Sequence, residues 1–420
     1  MKVLIIGNGG RESTIAWKLS QSKKVNEIFI APGNGGTLEY GKNVDIAVDD
    51  INGLIEFTKK NNIDLTIVGP ELPLTLGIVD EFEKEGLKAF GPSKLASQVE
   101  GSKEFSKNLM KKYDIPTAEY GTFIEYEEAK KYLEEKGAPI VIKADGLAGG
   151  KGVIVALTIE EARVGLKSIM EDKKFGSSGT KVVIEEFMDG EEASILAFTD
   201  GNTIVPMVSS QDHKRIYEGD KGPNTGGMGT YSPAPVVTEE INKKVYETIL
   251  KPTIDGLKKE GIKYKGILYA GLMIMKDEVK VVEFNARFGD PETQVVLSRL
   301  ESDLFEIFMA VVEEKLDEIE VKWDDKATVC VVMAAGGYPE SYKKGDKITG
   351  IDKAKEAGLL VFHAGTKKDN NDIVTNGGRV LGIVGKDKTI KDAVKKVYSN
   401  IDKINYEGKY YRKDIAYRAL

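Results

Sequence analysis

Ile140-Val141-Ile142-Lys143-Ala144-Asp145-Gly146-Leu147-Ala148-Gly149-Gly150-Lys151-Gly152 is the stretch on which the fold of this chain turns. Three branched apolar residues ending at a lysine predict a strand, and the glycines after it predict a loop whose backbone amides can approach an anion. A P-loop needs glycine five residues before Gly150 and Ser or Thr after Lys151. Asp145 and Gly152 stand at those positions, so the Walker reading fails. What remains is a lysine closing a strand and a mobile glycine-rich flap with a second lysine, two point charges suited to phosphate. A flexible hairpin with surface lysines is the plainer alternative at this point.

Outward from this loop, Val153–Ala156 and Val182-Val183-Ile184 read as strands and Glu127–Lys136 as a helix ended by Gly137. Thr158 with Glu161 three residues later forms a capping box at the start of another helix. Tyr120 to about Met188 is thus expected to form a small βαβ-like subdomain. Upstream, short apolar runs at Val3–Ile6, Glu27–Ala31, Val44–Val48, Asp64–Gly69 and Lys88–Gly91 are spaced by helical stretches such as Ser13–Ser20 and Gly53–Lys60. That alternation predicts a doubly wound parallel sheet. Downstream, Asp200-Gly201 between Ser194–Thr199 and Thr203–Ser209 signals a hairpin. A helix near Glu239–Lys259 precedes paired strands at Gly266–Met275 and Val279–Phe284, and the last ninety or so residues carry short strands, glycine turns and a helix at Ile390–Ile401. The expected class is α/β, with α+β character in the middle. Three domains are expected: 1–100, a doubly wound substrate domain; 101–325, with a flap subdomain at about 120–190; and a small β-rich domain at 326–420.

Composition narrows the function classes. A formal net charge of −7 argues against a general nucleic-acid binder. The single cysteine, Cys330, sits in the apolar run Thr328–Met333 and excludes a disulfide framework or cysteine zinc site within the chain; a buried, inert thiol is expected. No apolar run reaches the roughly 20 residues of a membrane helix, and the chain opens directly on a strand without a signal-peptide layout. A cytoplasmic protein, free of membrane and of further fused domains, is expected.

Two more motifs carry chemistry. Gly7-Asn8-Gly9-Gly10-Arg11-Glu12 joins a strand to a helix, but Glu12 occupies the sixth position, where the dinucleotide fingerprint requires glycine. A nicotinamide or flavin enzyme is disfavoured. A sugar-phosphate site made by these amides and Arg11 is expected, with a ligand-free strand–helix turn as the alternative. Val281-Val282-Glu283-Phe284-Asn285-Ala286-Arg287 ends a strand, and alternation puts Glu283 and Asn285 on one face. Two oxygen donors there suit Mg²⁺, which completes its shell with phosphate and water. Arg287 shares that side if the strand runs so far, and a structural salt bridge is the competing reading.

Lys143 before the flap, Glu185-Glu186-Phe187-Met188 as a hinge and Glu283-x-Asn285 resemble the ATP-grasp fold. More narrowly, the chain resembles the glycinamide ribonucleotide synthetase family along its whole length. The motifs that carry this likeness are Gly7–Glu12, Val68-Gly69-Pro70-Glu71, Ile142–Gly152, Ser210–Arg215, Gly222–Gly229, Phe284–Glu292, Phe362–Thr366 and Asn376–Arg379. The resemblance implies ligation of glycine to 5-phosphoribosylamine with ATP and Mg²⁺ or Mn²⁺, through glycyl phosphate, in purine biosynthesis. A related carboxylate–amine ligase with other substrates is the alternative. It implies ATP held by Lys103, Lys143, Glu185, Glu186, Phe187, Met188 and Glu192 under a flap containing Gly149 and Gly150. It assigns the metal to Glu283 and Asn285, and phosphoribosylamine to Gly9, Gly10, Arg11, Pro70 and Glu71. Asp212 is placed at the glycine amino group and Arg287 at the carboxylate or acyl phosphate; with Lys143 they form the catalytic set. A monomer is implied. The chain departs from the family at Ser13, where histidine is common, and at Gly149 and Ala286. His213 and His363 are more readily structural than substrate contacts.

Overall fold

The computed structural model describes residues 1–147, 152–172, 179–276 and 278–420. Strands β1 (Lys2–Gly7), β2 (Glu27–Pro32), β3 (Lys42–Asn43), β4 (Leu65–Val68) and β5 (Ala89–Phe90) form a parallel sheet of order β3-β2-β1-β4-β5. Its central strand is apolar and buried from Val3 to Ile6 because both faces are covered. Val3 and Ile5 join one core with Ile28, Ile30 and Ile67, while Leu4 and Ile6 join another with Phe29 and Val68. The strand expected at Val44–Val48 is not formed. After Val44 donates to the Ile30 carbonyl, the Ile46 N–H turns back onto the Val44 carbonyl. Val44, Ile46 and Val48 still pack on the core around Leu4, so their alternation reflects burial without a ladder.

The flap sheet contains β6 (Tyr120–Phe123), β7 (Ile140–Ala144), β8 (Val153–Ala156) and β9 (Val182–Glu186) in the order β6-β9-β7-β8. Here the βαβ-like expectation needs correction: every neighbouring pair is antiparallel, since each helical crossover spans an intervening strand. The pleat divides this sheet by function. Ile140, Ile142, Ala156, Val182 and Ile184 pack beneath the helices Tyr126–Lys136 and Ile159–Met170, and Val141, Lys143, Val153, Val155 and Glu185 face a cavity. Thr158 and Glu161 form their capping box at the second helix.

Strands β10 (Glu191–Thr199) and β11 (Ile204–Pro206) form the hairpin, its turn fixed by Asp200 Oδ1 accepting from the Asn202 and Thr203 amides. Then follow β12 (Gln211–Asp212), β13 (Arg215–Tyr217), β14 (Lys221–Asn224), β15 (Gly229–Ser232), β16 (Gly266–Ile274) and β17 (Val279–Asn285). Between β15 and β16 a single helical run takes a π turn at Tyr246–Leu250, immediately before Pro252, whose ring and missing N–H disturb the regular ladder. One antiparallel sheet has the order β11-β10-β16-β17. The later strands are β18 (Ala327–Ala334), β19 (Leu360–His363), β20 (Thr366–Asp369), β21 (Asp372–Thr375) and β22 (Arg379–Asp387). They do not close a sheet among themselves: the order β12-β15-β18-β22-β19 draws two strands from the middle of the chain. The helix Glu292–Arg299, buried at all eight positions, stands at the junction of this sheet with the N-terminal part.

Candidate active site

The three parts of the chain meet around a cavity of about 500 Å³. One half is lined by apolar side chains, Val141, Val155, Met110, Met188, Met273 and Phe284, with lysines at its inner edge. Lys143, only 3% exposed, donates to the Glu185 carboxylate at 2.9 Å and to the Val282 carbonyl at 3.0 Å. That carbonyl is available because β17 bulges: Gly271 pairs with Glu283 but Leu272 pairs with Val281, leaving Val282 out of the register. Lys107 also reaches Glu185, at 3.2 Å, and Thr117 Oγ1 at 2.8 Å. Burial pulls the Lys107 ammonium down to about 8, against the pull of Glu185. Lys103 donates to the Gly146 carbonyl at 3.3 Å, and burial lowers it too. At the hinge the Glu186 amide is committed to the Glu119 carbonyl, whereas the Met188 N–H has no acceptor among the described residues.

The other half is charged. Burial raises the Glu283 carboxyl, but Lys214, Lys143, Lys103 and Arg287 together outweigh it and hold the group below its ordinary range. The strand ends at Asn285, so Arg287 lies beyond it; even so, Arg287 Nη2 comes within 3.4 Å of Asn285 Oδ1. Arg287 is held by Glu100 at 2.8 Å, Glu71 at 3.3 Å and the Phe288 carbonyl at 3.1 Å. Asp212 accepts no hydrogen bond from the described residues. Burial pushes its carboxyl up to about 7, opposed by Lys214 and reinforced by Glu292 and Glu192. Lys214 pairs with Glu192, and Tyr269 links Glu292 (2.9 Å) to Ser194 (2.8 Å).

Most of the expected residues therefore converge on one cavity: Arg11, Pro70, Glu71, Lys103, Lys143, Glu185 through Met188, Glu192, Asp212, Glu283, Asn285 and Arg287. Gly9 and Gly10 do not line it. The Gly9 amide is bound by Glu12 Oε2 at 2.7 Å and the Arg11 amide by Asp290 Oδ2 at 3.3 Å, so carboxylates of the chain occupy this anion-type turn. Arg11 itself pairs with Glu12 and with the Phe288 carbonyl. A Cβ on Gly69 would sit 2.1 Å from Glu12 Oε1, so the two N-terminal loops close on that one side chain. Gly149 and Gly150 lie outside the described residues. His213 accepts from the Ala416 amide at 3.0 Å and His363 pairs with Thr366 at 3.0 Å; both are buried away from the cavity, and burial lowers His363 to about 3. Ser13 is buried against Asn34. Cys330 is buried in β18, its thiol pushed up by burial.

Sequence reasoning missed Lys107 and Glu100, and gave no role to Lys214, Glu292 and Arg379 although each falls within a motif that carries the resemblance. Lys107 follows Lys103 at i+4 on the same helix, a spacing that could have flagged it. Arg379 arrives from the far end of the chain to donate to the Gly226 and Asp290 carbonyls, each at 2.8 Å, a placement that its motif Asn376–Arg379 does not reveal. Among the described residues no cluster of three or more His, Cys, Asp or Glu is arranged to hold a metal. No helix among them is long and apolar enough to cross a membrane.

Residues 1–100, 101–293 and 328–418 match, in turn, the N domain, the ATP-grasp (A) domain and the C domain of phosphoribosylglycinamide synthetase. The chain belongs to the phosphoribosylglycinamide synthetase family. Relatives within it include the phosphoribosylamine–glycine ligase of Escherichia coli K12, 54% identical over 424 residues, and that of Vibrio vulnificus CMCP6, 53% identical over 423. Each alignment covers 100% of this chain and 99% of the relative. The crystal structure of the Thermotoga maritima phosphoribosylamine–glycine ligase superposes with a TM-score of 0.85 at 35% identity, covering 99% of this chain and 100% of that one. Beyond the family the fold is shared with the biotin carboxylase of Campylobacter jejuni, with a TM-score of 0.72 at 17% identity over 98% of this chain and 92% of that one.

Proposed function

We propose that this enzyme joins glycine to 5-phosphoribosylamine with ATP, giving glycinamide ribonucleotide, ADP and phosphate. The observation that carries the reading is the continuity of the cavity: an apolar, lysine-edged half opens directly onto a half holding Glu283, Asn285, Arg287 and an unpaired Asp212. Relatives of known activity at 51–54% identity along the whole chain support the same reaction.

In this account adenine lies between Val141, Val155 and Met273, with the Met188 N–H free for a ring nitrogen. Glu192 takes the ribose hydroxyls once Lys214 swings toward phosphate. Lys103 and Lys143 neutralise the phosphate chain. A divalent cation fits Glu283 and Asn285, since the carboxylate is kept ionised and both donors are hard oxygens; when bound it would neutralise charge on the phosphate oxygens. Mg²⁺ and Mn²⁺ both suit these ligands. Asp212 receives the glycine ammonium, whose charge draws its carboxyl back toward the ionised form. Arg287, braced by Glu100 and Glu71, directs its remaining donors at the glycine carboxylate.

The carboxylate attacks the γ-phosphorus and ADP leaves, producing glycyl phosphate. The 1-amino group of phosphoribosylamine then attacks the acyl carbon and phosphate departs. No enzyme nucleophile is needed, and the protein contributes orientation and charge neutralisation. Arg11, Pro70 and Glu71 border the part of the cavity nearest the N-terminal sheet, where phosphoribosylamine enters. Glycine labelled with ¹⁸O in its carboxylate tests the route: one labelled oxygen per turnover is expected in inorganic phosphate. Unlabelled phosphate would rule out the acyl-phosphate path.

A further inference from the structure

Near its end the chain forms an ionic cluster around the buried Arg412 that does not line the cavity and that the reaction above does not use. Arg412 is fully buried, its Nε and Nη2 on Asp414 at 2.8 and 2.7 Å. Its Nη1 donates to Asp220 Oδ1 at 2.8 Å and to the Arg215 carbonyl at 3.0 Å. Asp220 Oδ2 accepts from Tyr417 Oη at 2.7 Å and Arg418 Nη2 at 2.5 Å. Asp220 sits at the turn of the β13–β14 hairpin with φ +54. Further bonds run along the same hairpin: Tyr410 Oη to the Ile216 carbonyl (2.9 Å), the Gly219 amide to Asp414 (2.8 Å) and the Ala416 amide to His213 Nε2 (3.0 Å).

Both stems of this hairpin end in the cavity wall. One leads back to Lys214 and, through His213, to Asp212; the other runs forward to Asn224, Thr225 and Gly226. The stems are tied at their base, where the Lys214 carbonyl accepts from the Thr225 amide and hydroxyl, each at 2.8 Å, and the Met228 amide donates to the His213 carbonyl at 2.7 Å. We propose that residues 410–418 are a positioning element for the reaction: acting through Asp220, they hold the hairpin so that Lys214 and Asp212 stand opposite Glu192 and Glu283. The kinetic part of this inference rests on the activity proposed above.

Two surface substitutions outside the cavity test it, Tyr417→Phe combined with Arg418→Met, with Arg418→Lys as the conservative control. At 25 °C the double variant is expected to lose roughly tenfold in kcat, the scale of a small displacement transmitted to a catalytic group. Arg418→Lys should keep most of the wild-type rate. A variant whose melting temperature falls but whose kcat and KM values for ATP, glycine and phosphoribosylamine stay within twofold of wild type would reduce the cluster to a purely structural role and overturn the proposal. Hydrogen exchange reads the coupling without any substrate, so it separates this inference from the assignment of the reaction. The Thr225 and Met228 amides should exchange at least roughly tenfold faster in the double variant, and unchanged exchange there would equally overturn it.

Discussion

At the scale of single residues, the charge pattern around Lys143 and Glu283 governs the site. Lys143→Met removes the ammonium shared by Glu185 and the bulged Val282 carbonyl. It should weaken ATP binding by tenfold or more in calorimetry, equivalent to about 1.4 kcal/mol; an unchanged affinity would take Lys143 out of the nucleotide site. Glu283→Gln with Asn285→Ala should abolish metal-dependent turnover while circular dichroism stays native, and a variant still responding to Mg²⁺ would refute the metal assignment. Asp212 makes a pH prediction. Its carboxyl titrates near 7 in the folded protein, above its unfolded range. The folded state therefore binds more protons than the unfolded state between about pH 4 and 7, and stability falls as pH rises through that window. Relative to wild type, ligand-free Asp212→Asn should gain on the order of 2 kcal/mol between pH 5 and 8, seen by denaturant titration at both pH values. Parallel curves would mean that Asp212 is ionised throughout. The Glu283-x-Asn285 pair was legible because strand alternation is local. The roles of Lys214, Glu100 and Arg379 were not, because their partners lie far away in sequence and only the assembled fold brings them together.

At the scale of elements, strand and helix positions follow the sequence closely wherever burial has a clear period. β1 and β7 were both legible as strands; the structure adds that the first is buried on both faces and that the second turns one face to the cavity. Two features escaped for a common reason, that hydrophobic pattern reports burial and not hydrogen bonding. Val44–Val48 alternates because three side chains pack on a core, although no ladder forms. The flap sheet reads as βαβ because its helices return the chain to the same direction, yet an antiparallel strand is inserted at each crossing. The bulge at Val282 left no signal at all, and it supplies the carbonyl that orients Lys143. The helix Glu292–Arg299 offers the sharpest element-level test. Leu297 is fully buried at its centre, so Leu297→Ala should cost about 3 kcal/mol in urea denaturation. A loss below about 1 kcal/mol would show that this helix is not tightly packed at the junction between the sheets.

At the scale of the whole molecule, the sequence divides the chain near residue 326, but the sheet that begins there is completed by β12 and β15 from the middle of the chain. Pairing of β15 with β18 could not be read from composition, because neither strand carries a mark of its partner. Its consequence is that removing residues 326–420 would leave β15 without its neighbour and the helix Glu292–Arg299 without one wall. Such a truncation should be insoluble or unfolded by circular dichroism, and a well-folded fragment would contradict the shared sheet. The same architecture brings Arg11 and Glu71 from the N-terminal part, Lys143 from the flap sheet and Arg379 from the last strand to one cavity. The most direct test of that central claim is ADP release from the purified chain with ATP, Mg²⁺ and glycine, in the presence and absence of freshly made phosphoribosylamine. Release that requires both substrates, in step with an amide of the mass of glycinamide ribonucleotide, is the predicted result. ADP release indifferent to phosphoribosylamine, or without that amide, would contradict it.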